Sequence, residues 1–281
     1  MSHRTRRLIL RGGFYLLIAF ILVYTVFPFY WAVVSSLKTG SSLFEVDLLP
    51  PDPAWTNYVS IFREQPFARN ILNSIFISVV TVALSLLLAL AAAYALGRIQ
   101  FRGRSSLLLL VLAVSMFPQV AVLSGMYELI LWLGLYDRPW AMILSYMIFT
   151  LPFTVWVLTT FMRELPRELE EAAVIDGATK LQVFFKIILA TSKPIIATIS
   201  TLTFIGAWND YIWPIMVLPA PSGEGWPLYP IQAALNTLQN LPTISTGEVM
   251  ASLTVTTIPL VVVYILAQKY IVDGFRTAGI K

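Results

Sequence analysis

The residues able to do chemistry are few and unevenly placed. The chain has no cysteine and one histidine, His3, among 281 residues. That composition excludes thiolate metal sites, disulfides and cysteine nucleophiles, and it leaves no histidine pair for acid–base work. The most conspicuous carboxylates gather in residues 163–194, where Glu168, Glu170 and Glu171 are followed by Asp176 and Gly177. Carboxylates on a short polar segment offer charge-assisted hydrogen bonds to the basic groups of a partner. A further carboxylate, Asp210, stands in an apolar run beside Trp208, Asn209 and Tyr211. An intramembrane carboxylate is expensive and by default marks a solute pathway. The opposing reading is an interfacial aromatic belt of Trp208, Tyr211 and Trp213, with Asp210 wetted or capping a helix. No G-x-x-x-x-G-K-[ST] sequence occurs, so nucleotide phosphates are not cradled here by that motif.

The elements that position these groups must be membrane helices. Hydrophobic residues make up 58% of the chain and charged ones 12%, with a mean hydropathy of +0.77. A chain so poor in charge cannot cover a core with a wetted surface, which excludes a soluble enzyme and a disordered protein. Six apolar segments reach the roughly 20 residues a helix needs to cross hydrocarbon. They run over 14–36, 70–97, 107–131, 139–161, 195–218 and 249–270. They are continuous runs rather than alternating strands, so helices are expected. The first is longer than the apolar core of a cleaved signal and is read as an uncleaved span.

Fifteen of the 19 Lys and Arg residues fall on one side of the six spans, in the N-terminal arm, after span two, within 163–194 and in the C-terminal tail. Lys38, Arg63, Arg69 and Arg138 fall on the other. This bias places both termini and the 163–194 loop in the cytoplasm. The basic isoelectric point is therefore topology rather than a nucleic-acid footprint. The outer loops, 38–69 and 219–248, are rich in proline and are expected to form irregular outward surfaces.

Within the spans, Ala89, Ala93 and Gly97 form a small-residue face for close helix approach. Pro118 and Pro152 sit mid-span and are expected to kink their helices. Residues 163–194 read as helix, turn, helix. Pro166 suits a first helical position, and Glu168, Glu170 and Glu171 face the positive dipole end. Ala172 and Ala173 follow, and Gly177 stands just past the helix end. A second helix restarts near Thr179, with Leu181, Phe184, Phe185, Ile188 and Leu189 as an apolar face. From these residues alone two readings stay open: a knob that a partner's groove encloses, or an amphipathic connector on the lipid surface.

Glu171-Ala172-Ala173, Gly177 and Ile187-x-Leu189 together resemble the EAA loop of ABC-importer permeases. The string from Glu170 to Ala178 is similar to the carbohydrate branch, the maltose-type permeases. Met116-Phe117-Pro118, the segment Leu133 to Asp137, Ala207 to Asp210 and the tail Gly274 to Gly279 are weaker supporting likenesses. Together they cover residues 15–281. The family closes the loop with Leu-Pro, whereas this chain has Leu189-Ala190 and a later Pro194. That departure leaves the approach angle of span five open.

The resemblance implies an all-α, six-span permease of the type I ABC-importer fold, with residues 1–281 as one transmembrane domain. It implies a non-catalytic subunit in the bacterial or archaeal inner membrane. Its partners would be a second homologous permease, two ATP-binding subunits that hold ATP and Mg, an extracytoplasmic sugar-binding protein and membrane lipid, with no nucleic acid. Glu170, Glu171, Ala172, Ala173, Asp176 and Gly177 would dock on the ATPase. Pro118, Trp208, Asn209, Asp210 and Tyr211 would belong to the pathway or its gate, and Thr277 and Gly279 to a tail contacting the ATPase. The identity of the sugar stays open. The alternative, a self-sufficient secondary transporter of small polar solutes, would require ion-coupling residues near mid-membrane and inverted repeats. A membrane enzyme would require a catalytic constellation. Neither pattern is visible.

Overall fold

The computed structural model describes residues 3–218 and 229–278, and side chains for 10–218 and 229–272. All regular structure among them is helical. In order the elements are α1 (His3–Ser36), a 3-10 turn (Gly40–Phe44), α2 (Thr56–Arg63), α3 (Phe67–Arg98), α4 (Arg104–Ser115), α5 (Gln119–Trp132), α6 (Pro139–Glu164) and α7 (Glu168–Ile175). Then come α8 (Lys180–Gln182), a π-helical stretch (Val183–Ile188), α9 (Leu189–Thr191), α10 (Lys193–Asn209), α11 (Ile212–Val217), α12 (Ile231–Gln239) and α13 (Thr246–Ala278).

Leu10–Ser36, Phe67–Arg98, Pro139–Glu164 and Thr246–Val272 are each long and apolar enough to span a membrane, and two bent helix pairs bring the number to six. The bends correct two expectations of continuous helix. Segment 107–131 is broken, with α4 and α5 meeting at 94°. Pro118 is extended (φ −67, ψ 125) at the break, because proline donates no backbone bond and disfavours helix at the residue before it. Pro152, by contrast, lies inside α6 without ending it. Segment 195–218 is also two helices: Asp210 is extended (φ −74, ψ 131) and stops α10, after which α11 begins.

The chain divides into two compact units, Met1–Phe67 with Leu235–Ile258, and Ala68–Ala234 with Pro259–Lys281. In the first, the loop expected to be irregular holds the 3-10 turn and α2. Lys38 is buried, donates through Nζ to the Glu45 carbonyl at 2.7 Å and lies 5.3 Å from the centroid of the Trp31 ring, a cation–π arrangement. The Asn57 side-chain amide donates to the carbonyls of Ser36 at 2.8 Å and Lys38 at 3.0 Å. Ser245 and Glu248 cap the start of α13 reciprocally: the Ser245 amide donates to Glu248 Oε2 at 2.7 Å and the Glu248 amide to Ser245 Oγ at 3.2 Å.

The second unit is built on one seam of α3. Asn70, Ser74, Ser78, Thr81, Ser85, Ala89 and Ala93 are all buried, and their three- and four-residue spacing puts them on one face. In hydrocarbon, helices gain little from apolar burial against each other, so close van der Waals approach and interhelical hydrogen bonds must hold them. Both are present. Ser85 Oγ and Thr150 Oγ1 of α6 are 3.2 Å apart, and a Cβ on Gly97 would meet Met162 Cβ at 3.3 Å. Around this contact Leu96, Leu108, Val155, Leu158, Met162, Ile188 and Ile199 form the core. The polar end of the seam grips non-helical backbone: Asn70 donates to the Tyr229 carbonyl at 2.8 Å, and the Ile231 amide donates to Ser74 Oγ at 2.7 Å. These bonds anchor α12, a helix in the stretch 219–248 that the sequence reading takes as an open surface. Residues 219–228 of that stretch lie outside the described residues.

Gly247 has no room for a side chain: a Cβ would lie 2.4 Å from the Lys38 carbonyl oxygen and 2.5 Å from Asn57 Nδ2. Gly247→Ala is expected to destabilise this unit by about 1–3 kcal/mol, the usual cost of overpacking. The measurement is the thermal midpoint of the detergent-solubilised protein, with Gly12→Ala, which has open space inside α1, as the control that does not lower it.

Candidate functional site

Two features stand at opposite ends of α10: an elbow that leads into its N-terminus and a pocket around its C-terminus. The helix has 17 residues, which separates its ends by about 25 Å.

The elbow starts where α6 stops. Leu165 is extended (φ −65, ψ 134), as expected of a residue before proline. Helix α7 then begins at Glu168, two residues after Pro166. Its first turn carries Glu168, Glu170 and Glu171, suited to the free amides of that end. Asp176 closes it, and Gly177 turns the chain with φ +86, a left-handed conformation that only glycine adopts without cost. Thr179 restarts the helix with a capping box: its hydroxyl accepts from the Gln182 amide at 3.3 Å, and its own amide donates to Gln182 Oε1 at 2.8 Å.

The second arm is not the ordinary amphipathic helix the spacing predicts. Val183–Ile188 is π-helical. In that winding residues five apart share a face, and Val183 and Ile188 are the buried pair. Leu181 and Phe185, expected on the inner face, are 70% and 59% exposed. Phe184 packs edge-on against Tyr94 of α3, centroids 5.1 Å apart. The arm meets α10 at a 70° bend at the buried Ser192, with Pro194 in the first turn of α10.

The six docking residues expected from the sequence share this elbow but differ in setting. Glu171, Ala172, Asp176 and Gly177 are exposed, and Ala173 is half-buried. Ile175 at the tip is 85% exposed. Glu170 is engaged internally: its Oε1 lies 2.7 Å from Arg98 Nε. Between α3 and the elbow lies a cleft of about 860 Å³ whose lining includes Tyr94, Arg98, Glu170, Ile175 and Phe184.

At the other end of α10, a cavity of about 320 Å³ is lined by residues including Gln119, Tyr146, Thr150, Asn209, Asp210 and Trp213. Asp210 Oδ1 accepts the Ile212 amide at 3.2 Å, so this carboxylate satisfies the chain where α10 gives way to α11. The buried Tyr146 hydroxyl is its side-chain neighbour. Asn209 Oδ1 accepts from Gln232 at 3.3 Å.

The expected cluster is only partly assembled here. Trp208 is fully buried and stacked on Phe204, with centroids 5.6 Å apart; it does not line the cavity, so it offers no ring to a solute there. Tyr211 is exposed outside the lining, and Pro118 acts through the chain break that leaves Gln119 at the wall. Tyr146 and Thr150, one turn apart on α6, are missed by sequence reasoning because they are ordinary polar residues far from Asp210 in the chain. Arg98 is missed too, although a cation closing a greasy helix is a visible signal. Thr277 lies near the end of α13, its side chain not described, and Gly279 lies outside the described residues.

Residues 8–277 match the family of binding-protein-dependent transport system inner membrane components, and the chain belongs to that family. It is 31% identical over 280 residues to the inner membrane ABC transporter permease protein YcjP of Escherichia coli strain K12, covering 98% of each chain. It is 33% identical over 258 residues to the trehalose transport system permease protein SugB of Mycobacterium tuberculosis, covering 92% of this chain and 93% of that one. Its fold is similar to a chain in the crystal structure of a bacterial ABC transporter involved in the import of the acidic polysaccharide alginate. The TM-score is 0.78, with 25% identity and coverage of 96% of this chain and 98% of that one. The protein is thus an all-α, polytopic membrane permease subunit of the ABC-importer class, and the self-sufficient secondary transporter is not favoured.

Asp210 has two separable roles, cap and charge. Asp210→Asn keeps an acceptor for the Ile212 amide, whereas Asp210→Ala removes it at a cost of about 1 kcal/mol typical of a lost cap. A lower thermal midpoint is expected for the alanine variant, and one close to wild type for the asparagine variant.

Proposed function

We propose that the chain forms half of the translocation pathway of a sugar importer and takes its motion from a cytoplasmic ATP-binding subunit through the elbow. A carbohydrate solute is supported by the relatives, one a trehalose permease and one a component of an alginate importer. The proposed assembly pairs the chain with a second homologous permease, two ATP-binding subunits that hold ATP and Mg, and an extracytoplasmic sugar-binding protein. The strong Lys and Arg bias supports a cytoplasmic elbow and cytoplasmic termini. In this reading residues 1–281 work as one transmembrane permease domain in a bacterial or archaeal inner membrane, and the tail with Thr277 and Gly279 contacts the ATPase.

The observation that carries the proposal is the form of the elbow. A short helix ends on Gly177 at φ +86 and presents Glu171, Ala172, Asp176 and Ile175 outward. Small side chains let a groove close on the helix, the apolar tip supplies contact, and the Glu171 carboxylate is free to pair with a basic group. The pocket by Asp210 then lies on the solute route, with Asn209, Gln119 and Thr150 able to exchange hydrogen bonds with hydroxyl groups.

Gly177→Leu forces a side chain into the left-handed region at about 1–2 kcal/mol and misdirects the second arm. Such a variant, and Glu171→Gln more mildly, are expected to copurify with less ATP-binding subunit and to import less solute per ATP hydrolysed. Full copurification and normal uptake by Gly177→Leu would overturn the docking role. For the pocket, Asp210→Asn is expected to cut uptake while leaving assembly intact. Unchanged uptake would remove Asp210 from the pathway.

A further inference from the structure

We infer that Arg98 and Glu170 form a rigid strut that makes the elbow helix α7 and the end of α3 move as one body. Glu170 on this reading is a positioning residue inside the permease, not a docking carboxylate. The inference rests on the proposal that an ATP-binding subunit drives the elbow.

Several observations converge on it. Arg98 closes α3, where a cation suits the negative dipole end. Its guanidinium fork holds two different parts of the elbow's root. Nε meets Glu170 Oε1 at 2.7 Å, and Nη2 donates to the Leu165 carbonyl at 3.0 Å. The side chains are 6% and 20% exposed, so water competes little for the pair. Arg163, at the end of α6, donates back to the Leu96 carbonyl of α3 at 3.1 Å. The α3–α6 contact beneath is tight at Gly97 and Met162. Helix α7 is thus fixed to a base that cannot easily deform. Only residues 165–167 link it covalently to α6, and a three-residue linker alone would let it pivot.

The cleft explains why a strut is needed. The elbow stands over about 860 Å³ of largely apolar space, so packing does not fill the gap between α7 and α3. Two contacts bridge it: Phe184 on Tyr94 at the second arm, and Glu170 on Arg98 at the first. The aromatic contact can slide, whereas the ion pair holds by charge at 2.7 Å and the Nη2 bond to the Leu165 carbonyl fixes where the guanidinium points. Lysine could not replace Arg98, because a single ammonium lacks the planar fork that serves carboxylate and carbonyl together.

The absence of cysteine from the chain permits a direct test. Cysteines are placed at the exposed Gln100 and Glu168 and spin-labelled in the complex assembled with its ATP-binding subunits and binding protein. The inter-label distance is read without nucleotide and after vanadate trapping of ATP. In the parent the distance is expected to be the same in both states. In Arg98→Gln and Glu170→Gln it is expected to match the parent without nucleotide and to lengthen or broaden on trapping. The double variant should equal either single, since both remove one interaction.

A distance disturbed equally in both states would assign the pair a merely architectural role. Distances unchanged in every variant would remove the strut altogether. Loss of copurifying ATP-binding subunit in Glu170→Gln but not Arg98→Gln would assign Glu170 to the partner instead. Glu171→Gln and Gly177→Leu read the docking itself through copurification and uptake: failure to lower either defeats the docking role, whereas the strut is read from the label distances of Arg98→Gln and Glu170→Gln on trapping.

Discussion

A backbone N–H or C=O that leaves a helix inside hydrocarbon finds no water, and an unsatisfied group there costs several kcal/mol. The larger compact unit is organised by that constraint. At several departures from helix among its described residues, a side chain, a local cap or another backbone group meets the freed groups. Asn70 and Ser74 of α3 take the carbonyl of Tyr229 and the amide of Ile231. Asp210 takes the amide of Ile212. Arg98 takes the carbonyl of Leu165. Val217 accepts the amide of Asp137, itself at φ 59. The breaks that shape the pocket are satisfied by these partners, and the break at the elbow, outside the spans, is tied back to α3 by Arg98.

The same constraint explains why α3 is graded along its length. Its early turns carry Asn70, Ser74, Ser78 and Ser85, which are able to bond. Its later turns carry Ala89, Ala93 and Gly97, which only permit approach. Asn70 and Ser74 secure irregular backbone, while Ser85 and the small residues after it meet α6, whose end leads into the elbow. The final residue, Arg98, changes role again and reaches off the helix altogether.

Much of this was legible in the sequence. Four of the six apolar runs lie in single helices and two are broken; the glycine turn and the restart fall at Gly177 and Thr179, while the elbow's first helix begins two residues after Pro166. Local chemistry sufficed because dipole, cap and positive φ are local properties. Three things were not legible. Pro118 broke its helix while Pro152 did not, and only surrounding packing decides between a kink and a break. The second arm adopted π winding, so the face predicted at period 3.6 is displaced and leaves Leu181 and Phe185 exposed. The pairing of Glu170 with Arg98, and of Asp210 with Tyr146, joins residues more than 60 apart, and a single sequence carries no record of such contacts. The period-four polar stripe from Asn70 was visible but reads as nothing until its partner backbone is known.

The position of α10 ties these features into one argument. Its ends are both defined by sharp departures from helix, the 70° bend at Ser192 and the extended Asp210. Between them Ile199, Thr201, Thr203, Phe204, Ala207 and Trp208 are buried, so the rod is held along its length rather than at its tips. Unwinding within that buried stretch would leave broken backbone bonds facing packed protein or hydrocarbon. The Asp210 end meets α6 at the cavity, whose lining includes Tyr146 and Thr150. Trp208, stacked on Phe204 behind the wall, packs the helix that forms the pocket without lining it.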